Sequence, residues 1–180
     1  MSLNIGKNFI SQKNLKDAEK VFLDLHKTNN SLEINYNLGI IYFELKNIKK
    51  SLRFFEKCIK IDPKSINTYL KIAYLEQSTG DIEKSLSTYQ KALNINKRDI
   101  RVYYGIFTLD PNFLKDTHYE IIKQINTNPK ANIFEKFLSN FLLSKKEKNE
   151  KNFVKELSYL KNSHKLCFDF KKKYNLQSQK

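Results

Sequence analysis

The residue types that bind metals or carry out catalysis are few and widely separated in this sequence. The three histidines, His26, His118 and His164, stand singly, with no HExxH motif and no His and Cys cluster at zinc-ligand spacing. Acidic residues such as Asp17 and Glu19 are scattered among lysines, which is typical of solvated helix faces. The sequence therefore predicts no catalytic residue, no metal site and no cofactor. The chemistry that remains is binding by amide, lysine and tyrosine side chains.

Packing is the expected role of the few chemically versatile side chains. His26 and His164 fall at the end of apolar helix stripes, which predicts that both are partly buried. Cys58 takes a position that calls for a small residue, which predicts an inert buried thiol. Cys58 and Cys167 are far apart and form no CxxC pair, a usage typical of a reducing compartment. We read no export signal and no apolar run of the roughly 18 residues that a membrane span needs, so the expected location is cytoplasmic.

The strongly basic charge is carried almost entirely by lysine. The 180 residues have a formal net charge of +14, and only Arg53, Arg98 and Arg101 are arginines. Arginine is the usual reader of phosphates and base edges, whereas scattered lysines give a diffuse field. The composition therefore argues against a nucleic-acid partner. Residues 131–180 hold 12 lysines and five acidic residues, a net charge of +7, and this predicts a basic C-terminal surface.

Two helices and a turn recur along the first half of the chain. Four glycines and three prolines in the whole sequence favour long helices over a β-sandwich or barrel. In residues 32–65, apolar residues repeat at helical spacing on either side of a turn at Lys46 and Asn47, and Asp62 and Pro63 end the second helix. The same pattern returns 34 residues later and is also found 33 residues earlier. Ser65 and Asp81 stand where helix N-caps are needed, and Gly80 stands where a helix must stop.

Small residues recur at two points of each repeat, where the two helices must approach. The first helices carry Gly6, Gly39 and Ala73, and the second helices carry Ala18, Ser51 and Ser85. The predicted core includes Leu38, Tyr42, Leu52, Phe55, Leu86 and Tyr89. We expect three hairpins over residues 1–98, the first of them truncated at its N-terminus.

These residues resemble the tetratricopeptide repeat, whose pattern is W-x2-L-G-x2-Y, then A-x3-F, then P. In the second hairpin the positions of this pattern are occupied by Asn35, Leu38, Gly39, Tyr42, Ser51, Phe55 and Pro63. The departures include the missing tryptophan and Glu76 in place of the tyrosine. The resemblance implies an all-α fold, a right-handed superhelical array of antiparallel helix hairpins, and a scaffold that binds a protein or peptide in its concave groove.

Beyond Asp99 the repeat becomes degenerate. A fourth first helix opens at Arg101 and is interrupted by Asp110 and Pro111, and helices are expected over residues 117–125, 133–146 and 153–168. We therefore divide the remainder into a degenerate helical cap at residues 99–168 and a polar tail at residues 169–180. We expect both ends of the chain, residues 1–10 and the tail, to fray.

A second resemblance concerns the order of these parts. Repeats followed by YYGIFTLDPNFL at residues 103–114 and by SYLKNSHKL at residues 158–166 are similar to the N-terminal region of bacterial tetratricopeptide-repeat sulfotransferases. The P-R-S-G-T-type phosphate loop of that family is not present, and no glycine follows Gly105. This resemblance implies the alternative function, a non-catalytic docking region whose enzymatic domain is absent from the sequence.

The predicted binding residues lie on the first helices, because those helices line the concave side of such arrays. The residues that point away from the partner helix are Asn4, Lys7, Tyr36, Asn37, Ile40, Asn67, Lys71 and Tyr74. Asparagine amides there would hold a peptide backbone, and lysine would hold its carboxylate. Some family members use a carboxylate clamp, which Asn37 and Lys71 match at two positions and from which Leu3, Lys7 and Asn67 depart. RNA whose bases stack on Tyr36, Tyr74 and Tyr104 is a further alternative ligand. The simplest alternative is that these groove residues are ordinary solvated side chains with no binding role.

Overall fold

The helices found in the structure follow the predicted hairpins closely. A computed structural model describes the backbone of residues 2–177 and the side chains as far as residue 169. Over that range it contains α-helices and one short 3-10 helix, with no strand. The helices are α1 (Leu3–Ser11), α2 (Leu15–Thr28), α3 (Leu32–Glu44), α4 (Ile48–Ile61), α5 (Ile66–Ser78), α6 (Ile82–Ile95), α7 (Ile100–Leu109), α8 (Asp116–Thr127), α9 (Ile133–Asn149) and α10 (Phe153–Gln177).

The chain packs into two compact units, which meet in sequence between Ile95 and Asn96. In the first unit the hairpins α1–α2, α3–α4 and α5–α6 follow one another, and each second helix also packs on the next first helix. The second unit contains α7, the 3-10 turn Pro111–Phe113, α8 and the hairpin α9–α10. Helix α10 runs nine residues past Phe168 into the segment where the sequence predicts a polar tail. Met1 and residues 178–180, which belong to the ends predicted to fray, lie outside the described residues.

The close approach of the two helices in a hairpin depends on the small residues. A Cβ placed on Gly39 would lie 2.6 Å from the Phe55 ring, and one on Gly6 would lie 2.6 Å from the Phe22 ring. Ser51 donates a 2.7 Å hydrogen bond to the Gly39 carbonyl, and Ser85 donates one of 2.8 Å to the Ala73 carbonyl. The small residues therefore let the second helix sit against the first and also satisfy first-helix carbonyls. The sequence predicts the approach but not these bonds.

Four tight turns share one backbone conformation. Each turn contains one residue with a positive φ, two positions after the end of α1, α3, α5 or α9. These residues and their φ values are Lys13 (58°), Lys46 (59°), Gly80 (83°) and Lys151 (59°). In each case the following residue donates its amide to the carbonyl five residues back, for example Asn47 to Tyr42 at 2.8 Å. Only Gly80 is the residue type that this left-handed conformation favours. The repeated turn places α9–α10 in register with α3–α4 at a displacement of 105 residues.

The predicted core is partly corrected by the structure. Leu38, Tyr42, Phe55 and Tyr89 are buried, whereas Leu52 and Leu86 are only half-buried. The reason is that a second helix faces two neighbours. Ser51 and Cys58 contact the first helix of their own hairpin and are buried, whereas Leu52 packs against a cluster that includes residues of the next hairpin.

Position 42 and its equivalents show how a departure from the repeat pattern is accommodated. Tyr42 donates a 2.7 Å hydrogen bond to Glu19 and stacks on Phe54, and burial together with this bond raises the pKa of Tyr42 to about 12. Glu76 and Glu147 occupy the equivalent positions of the third and last hairpins. Each has one carboxylate oxygen, Oε2, buried without a hydrogen-bond partner among the described residues. A buried oxygen in that state lowers stability.

Ser65 and Asp81, the two predicted N-caps, directly precede α5 and α6. A capping bond is formed at Asn47, which the sequence predicts only as part of a turn. Asn47 accepts a hydrogen bond from the Lys50 amide at 3.1 Å, as an N-cap does. Ser65 precedes α5 as predicted, but its hydroxyl is hydrogen-bonded to the Thr68 hydroxyl at 2.8 Å and accepts no backbone amide. Thr68 competes for the serine hydroxyl, so the capping bond is not made.

Candidate functional site

The first helices of successive hairpins lie beside one another and exchange side-chain contacts. Lys7 on α1 forms an ion pair of 2.5 Å with Glu33 on α3. The rings of Phe43 on α3 and Tyr74 on α5 meet edge to face with centroids 5.6 Å apart. The eight predicted binding residues therefore belong to three adjacent helices. We call them the first-helix surface: Asn4, Lys7, Tyr36, Asn37, Ile40, Asn67, Lys71 and Tyr74.

All eight residues of the first-helix surface are reached by solvent. Asn4, Lys7, Asn67 and Tyr74 are exposed, and Tyr36, Asn37, Ile40 and Lys71 are half-buried. Each helix contributes at least one polar and accessible side chain. The surface as a whole can therefore contact a ligand without a rearrangement of the backbone.

The apolar residues of the surface are not equivalent. Tyr36 packs edge to face on Phe55 with ring centroids 5.5 Å apart, and Ile40 packs against the same cluster as Phe55. These two side chains pack against the core on one side, so only their outer edges are accessible to a ligand. Tyr74 is 51% exposed, so its ring supplies the main apolar contact of the first-helix surface.

The Asn37 amide is partly engaged in its own helix. Its Nδ2 donates a 2.8 Å hydrogen bond to the Glu33 carbonyl one turn back. An amide has two hydrogens and an acceptor oxygen. The bond to Glu33 orients the group and leaves one hydrogen and the oxygen for a ligand.

Lys7 and Lys71 are in different electrostatic situations. Lys7 is paired with Glu33, and both side chains are about half exposed at 49% and 47%. Such surface pairs contribute about 0–1 kcal/mol, so a ligand carboxylate competes for Lys7 at little cost. Within the described part of the chain no carboxylate lies at ion-pair distance from Lys71. Lys71 is therefore the cation of this surface that is ready for an anionic group.

A cavity in the second unit was not anticipated from the sequence. It has a volume of about 410 Å³ and lies at the N-terminal ends of α7 and α9. Its lining residues are Asn96, Arg98, Asp99, Ile100, Arg101, Asn132, Phe134 and Glu135. Arg98 and Arg101, two of the three arginines, lie three residues apart in the sequence, and this pair is the feature from which the cavity could have been suspected.

The polar groups of this cavity largely satisfy one another. Arg101 forms two bonds with Asp99, of 2.9 Å from Nε and 2.5 Å from Nη2. Asn132 and Glu135 form a reciprocal capping box at the start of α9. Both helix N-termini are thus capped from within the chain, and the two carboxylates offset the two guanidinium groups.

The histidines and cysteines occupy packing positions in most cases. His26 lies edge to face on Phe54, and its Nε2 is 3.1 Å from Nζ of Lys57. Burial, assisted by the charge on Lys57, lowers the pKa of His26. His164 differs from the prediction because it is exposed on α10. Cys58 is buried as predicted, and burial raises the pKa of its thiol to about 12.

Neither a cluster of potential metal ligands nor a candidate membrane-spanning helix occurs in the described part of the chain. No group of three or more His, Cys, Asp or Glu side chains comes together there in a way that could hold a metal ion. No helix in the same range is both long enough and apolar enough to cross a membrane.

Comparisons with known proteins identify the repeats. Family models described as tetratricopeptide repeat match residues 33–65 and residues 66–99. No curated protein matches the sequence. The match at 33–65 begins one residue after the start of the second predicted hairpin, and the match at 66–99 covers the third.

Solved structures resemble the chain over most of its length. A crystal structure of MamA superposes with a TM-score of 0.66 at 14% identity and covers 96% of this chain and 99% of its own. TTC0263, a thermophilic TPR protein of Thermus thermophilus, gives 0.60 at 15% identity, with 96% and 95% coverage. YrrB, described as a TPR protein with an unusual peptide-binding site, gives 0.58 at 15% identity, with 94% and 90% coverage.

These likenesses confirm the predicted fold class, an all-α superhelical array of antiparallel helix hairpins. At identities of 14–15% they establish the fold alone. The resemblance to the N-terminal region of sulfotransferases gains nothing from them and stays a hypothesis.

Proposed function

Since family models of the tetratricopeptide repeat match residues 33–65 and 66–99, we propose that this chain is a scaffold that binds a protein or peptide on the first-helix surface. The observation that carries the proposal is the state of Lys71 and Tyr74 on α5. The lysine has no ion-pair partner in the described structure, and the tyrosine ring is 51% exposed one turn away. A cation beside an exposed aromatic ring suits a peptide that presents a carboxylate next to an apolar side chain.

The neighbouring first helix supplies the polar part of the proposed site. The Asn37 amide, held by its bond to the Glu33 carbonyl, can both donate to and accept from an extended peptide backbone. Lys7 would join if a ligand carboxylate displaced Glu33. The peptide-binding site of YrrB is a property of that protein, and the similarity of fold supports a peptide as the ligand proposed here.

We further propose that the chain acts in the cytoplasm by binding alone, without turnover of a substrate. His26 and Cys58 are engaged in packing, and Asp99 and Glu135 in capping. In this proposal the basic C-terminal segment, residues 131–180, attracts anionic molecules without selecting among them.

The test compares alanine variants of the first-helix surface with variants elsewhere. A peptide display library is selected against the purified chain, and the dissociation constant of the best peptide is measured by fluorescence anisotropy. We expect Asn37→Ala and Lys71→Ala each to weaken binding by about 1 kcal/mol or more, which is roughly fivefold or greater. Lys49→Ala, the same change at an exposed lysine on α4, is the matched control and should leave binding unchanged.

Salt dependence and a tail variant separate this site from diffuse attraction. A peptide held by scattered lysines loses affinity steeply as salt rises, whereas one held on the first-helix surface responds weakly. Loss of binding only in the triple variant Lys171→Ala, Lys172→Ala, Lys173→Ala would contradict the proposal and would assign the function to the basic C-terminal segment.

A further inference from the structure

Helix α10 exposes large apolar side chains along one side. Phe153, Leu157 and Phe168 are 65%, 52% and 69% exposed. With Lys161 they follow one another at intervals of four, four and seven residues, which places them on one side of the helix. We call Phe153, Leu157, Lys161 and Phe168 the terminal face.

The terminal face corresponds to a known contact surface within the same chain. The hairpin α9–α10 repeats α3–α4 at a displacement of 105 residues, because Lys46 and Lys151 share the same turn conformation. A second equivalence confirms the register. Cys58 donates to the Leu32 carbonyl at 3.6 Å and Ser163 donates to the Phe137 carbonyl at 3.2 Å, both across 26 residues.

In this register Phe153 is equivalent to Ile48, and Leu157 is equivalent to Leu52. Ile48 and Leu52 pack against a cluster that includes Ile72 and Leu75 of α5, the first helix of the following hairpin. In α4 these two positions therefore belong to the apolar packing at which the hairpin meets the next first helix. In α10 they are exposed to solvent in the described structure.

From this correspondence we propose that the terminal face docks an amphipathic α-helix of a partner protein with acidic residues beside its apolar stripe. The apolar stripe would cover Phe153, Leu157 and Phe168, just as Ile72 and Leu75 of α5 belong to the cluster against which Ile48 and Leu52 pack. This surface is separate from the first-helix surface and does not depend on it.

The charges of α10 select an acidic partner. Lys161 lies within the terminal face and Lys165 follows one turn later; both are exposed, and neither is ion-paired in the described part of the chain. Residues 131–180 carry a net charge of +7. A second copy of the chain would bring a further charge of +14 to this surface, so like-charge repulsion favours a different, acidic protein.

The probe is a helix-constrained, fluorescent peptide with the α5 sequence of residues 64–80 and the changes Lys64→Glu and Lys71→Glu. It keeps Ile72 and Leu75, the α5 residues of the cluster against which Ile48 and Leu52 pack. We expect saturable binding to the full chain in fluorescence anisotropy. The same peptide with both lysines retained should bind at least about fivefold more weakly because it lacks charge complementarity.

Variants of the full chain locate the binding. The double change Phe153→Ser and Leu157→Ser should weaken binding about tenfold or more, since it removes the apolar contact. Ile61→Ser, a similar change at a 44% exposed residue of α4, should have no effect. If the double variant fails to fold, Lys161→Glu with Lys165→Glu leaves the apolar residues in place and should still weaken binding of the acidic probe.

Several outcomes would overturn the proposal. One is no binding of the acidic probe, or binding that the terminal-face variants leave unchanged. Another is concentration-dependent self-association in sedimentation velocity that the double variant abolishes, because the occupant would then be a second copy. Binding to vesicles containing anionic phospholipid that requires Leu157 would instead indicate a membrane surface. Asn37→Ala and Lys71→Ala should not affect probe binding, so this test can fail without the proposed function failing.

Discussion

Gly39 is the residue at which the first helix and the second helix of a hairpin come closest to a steric limit. We expect Gly39→Leu to lower the free energy of unfolding by about 3 kcal/mol, because its Cβ alone would meet the buried Phe55 ring at 2.6 Å. Urea denaturation measures the change. Lys49→Ala, at an exposed position of α4, should be nearly neutral. Equal effects of the two changes would mean that the assigned repeat phase is wrong.

His26 makes stability depend on pH. Burial and Lys57 lower its pKa in the folded state, so the unfolded chain binds more protons once the pH falls below about 6.5, the ordinary histidine value. The contribution of His26 is therefore fully present above that pH and is lost as the pH falls toward the lowered value. We expect the melting temperature of the wild type to fall between pH 7.5 and pH 5.5, and the fall to be smaller in His26→Gln.

A second histidine, His118, also contributes to the pH dependence of stability. His118 also has a pKa lowered by burial, so some pH dependence should remain in His26→Gln. An unchanged pH profile in His26→Gln would contradict the assignment.

The two thiols should differ in reactivity. Cys58 is buried and its pKa is raised to about 12, whereas Cys167 is half-buried. Since the thiolate is the reactive form, we expect a thiol reagent at pH 8 to label Cys167 quickly and Cys58 only after denaturation. Cys167→Ser should remove the fast phase. A fast phase that survives in Cys167→Ser would show that the α3–α4 hairpin opens readily.

The sequence alone predicts residues well where one neighbour decides their environment. Gly39 and Cys58 face their own hairpin, so helical spacing is enough to predict their burial. Leu52 is half-buried because its neighbour is the next hairpin, and His164 is exposed although the same spacing predicts partial burial. These positions depend on the packing of other elements, which periodicity within one helix does not contain.

At the scale of the element, the turn after each first helix is the feature with the clearest energetic consequence. Lys46 adopts φ of 59°, a conformation that costs a residue with a side chain about 1–2 kcal/mol. We expect Lys46→Gly to raise the free energy of unfolding by about 1 kcal/mol, because part of that gain is offset by the greater freedom of glycine in the unfolded chain. Urea denaturation would test this.

A matched glycine change supplies the control. Lys49→Gly lies in α4 near Lys46 and is also exposed, but its backbone is helical. It should therefore lower the free energy of unfolding by about 1 kcal/mol. Destabilisation by both changes would contradict the role assigned to the turn.

Helix order was predictable from the sequence, whereas several helix ends were not. Gly80 and the Asp62–Pro63 pair mark stops that the structure places within a residue or two. Lys13, Lys46 and Lys151 form the same turn without the glycine that would reveal it. The extension of α10 to Gln177 was missed because a polar stretch carries no apolar period, although lysines are good helix formers. The cavity at α7 and α9 was missed because it depends on how two loops meet.

For the whole molecule, the charge imbalance predicts a response to salt. The chain has 33 basic and 19 acidic residues, and this net charge of +14 repels itself in the folded state. We expect the melting temperature to rise by a few degrees as sodium chloride increases from about 20 to about 300 mM, because the Debye length shrinks below the spacing of surface charges.

A charge-reduced variant tests the cause. Lys16, Lys49, Lys64 and Lys91 are exposed and have no ion pair in the described structure. Changing all four to glutamine should reduce the rise in melting temperature with salt. The same rise in this variant would attribute the effect to something other than net charge.

The bonds that tie each hairpin together also determine when it can form. Ser51 reaches the Gly39 carbonyl and Ser85 reaches the Ala73 carbonyl across only 12 residues. Tyr42 on α3 reaches Glu19 on α2 across 23 residues and joins two successive hairpins. Contacts between residues so near in sequence close small loops and favour rapid folding. During synthesis on the ribosome, α4 can pack against α3 at Gly39 as soon as residues up to about Ile61 have emerged. The second unit has not yet been synthesised at that point. Each hairpin can therefore protect its aromatic residues from aggregation while the rest of the chain is still being made.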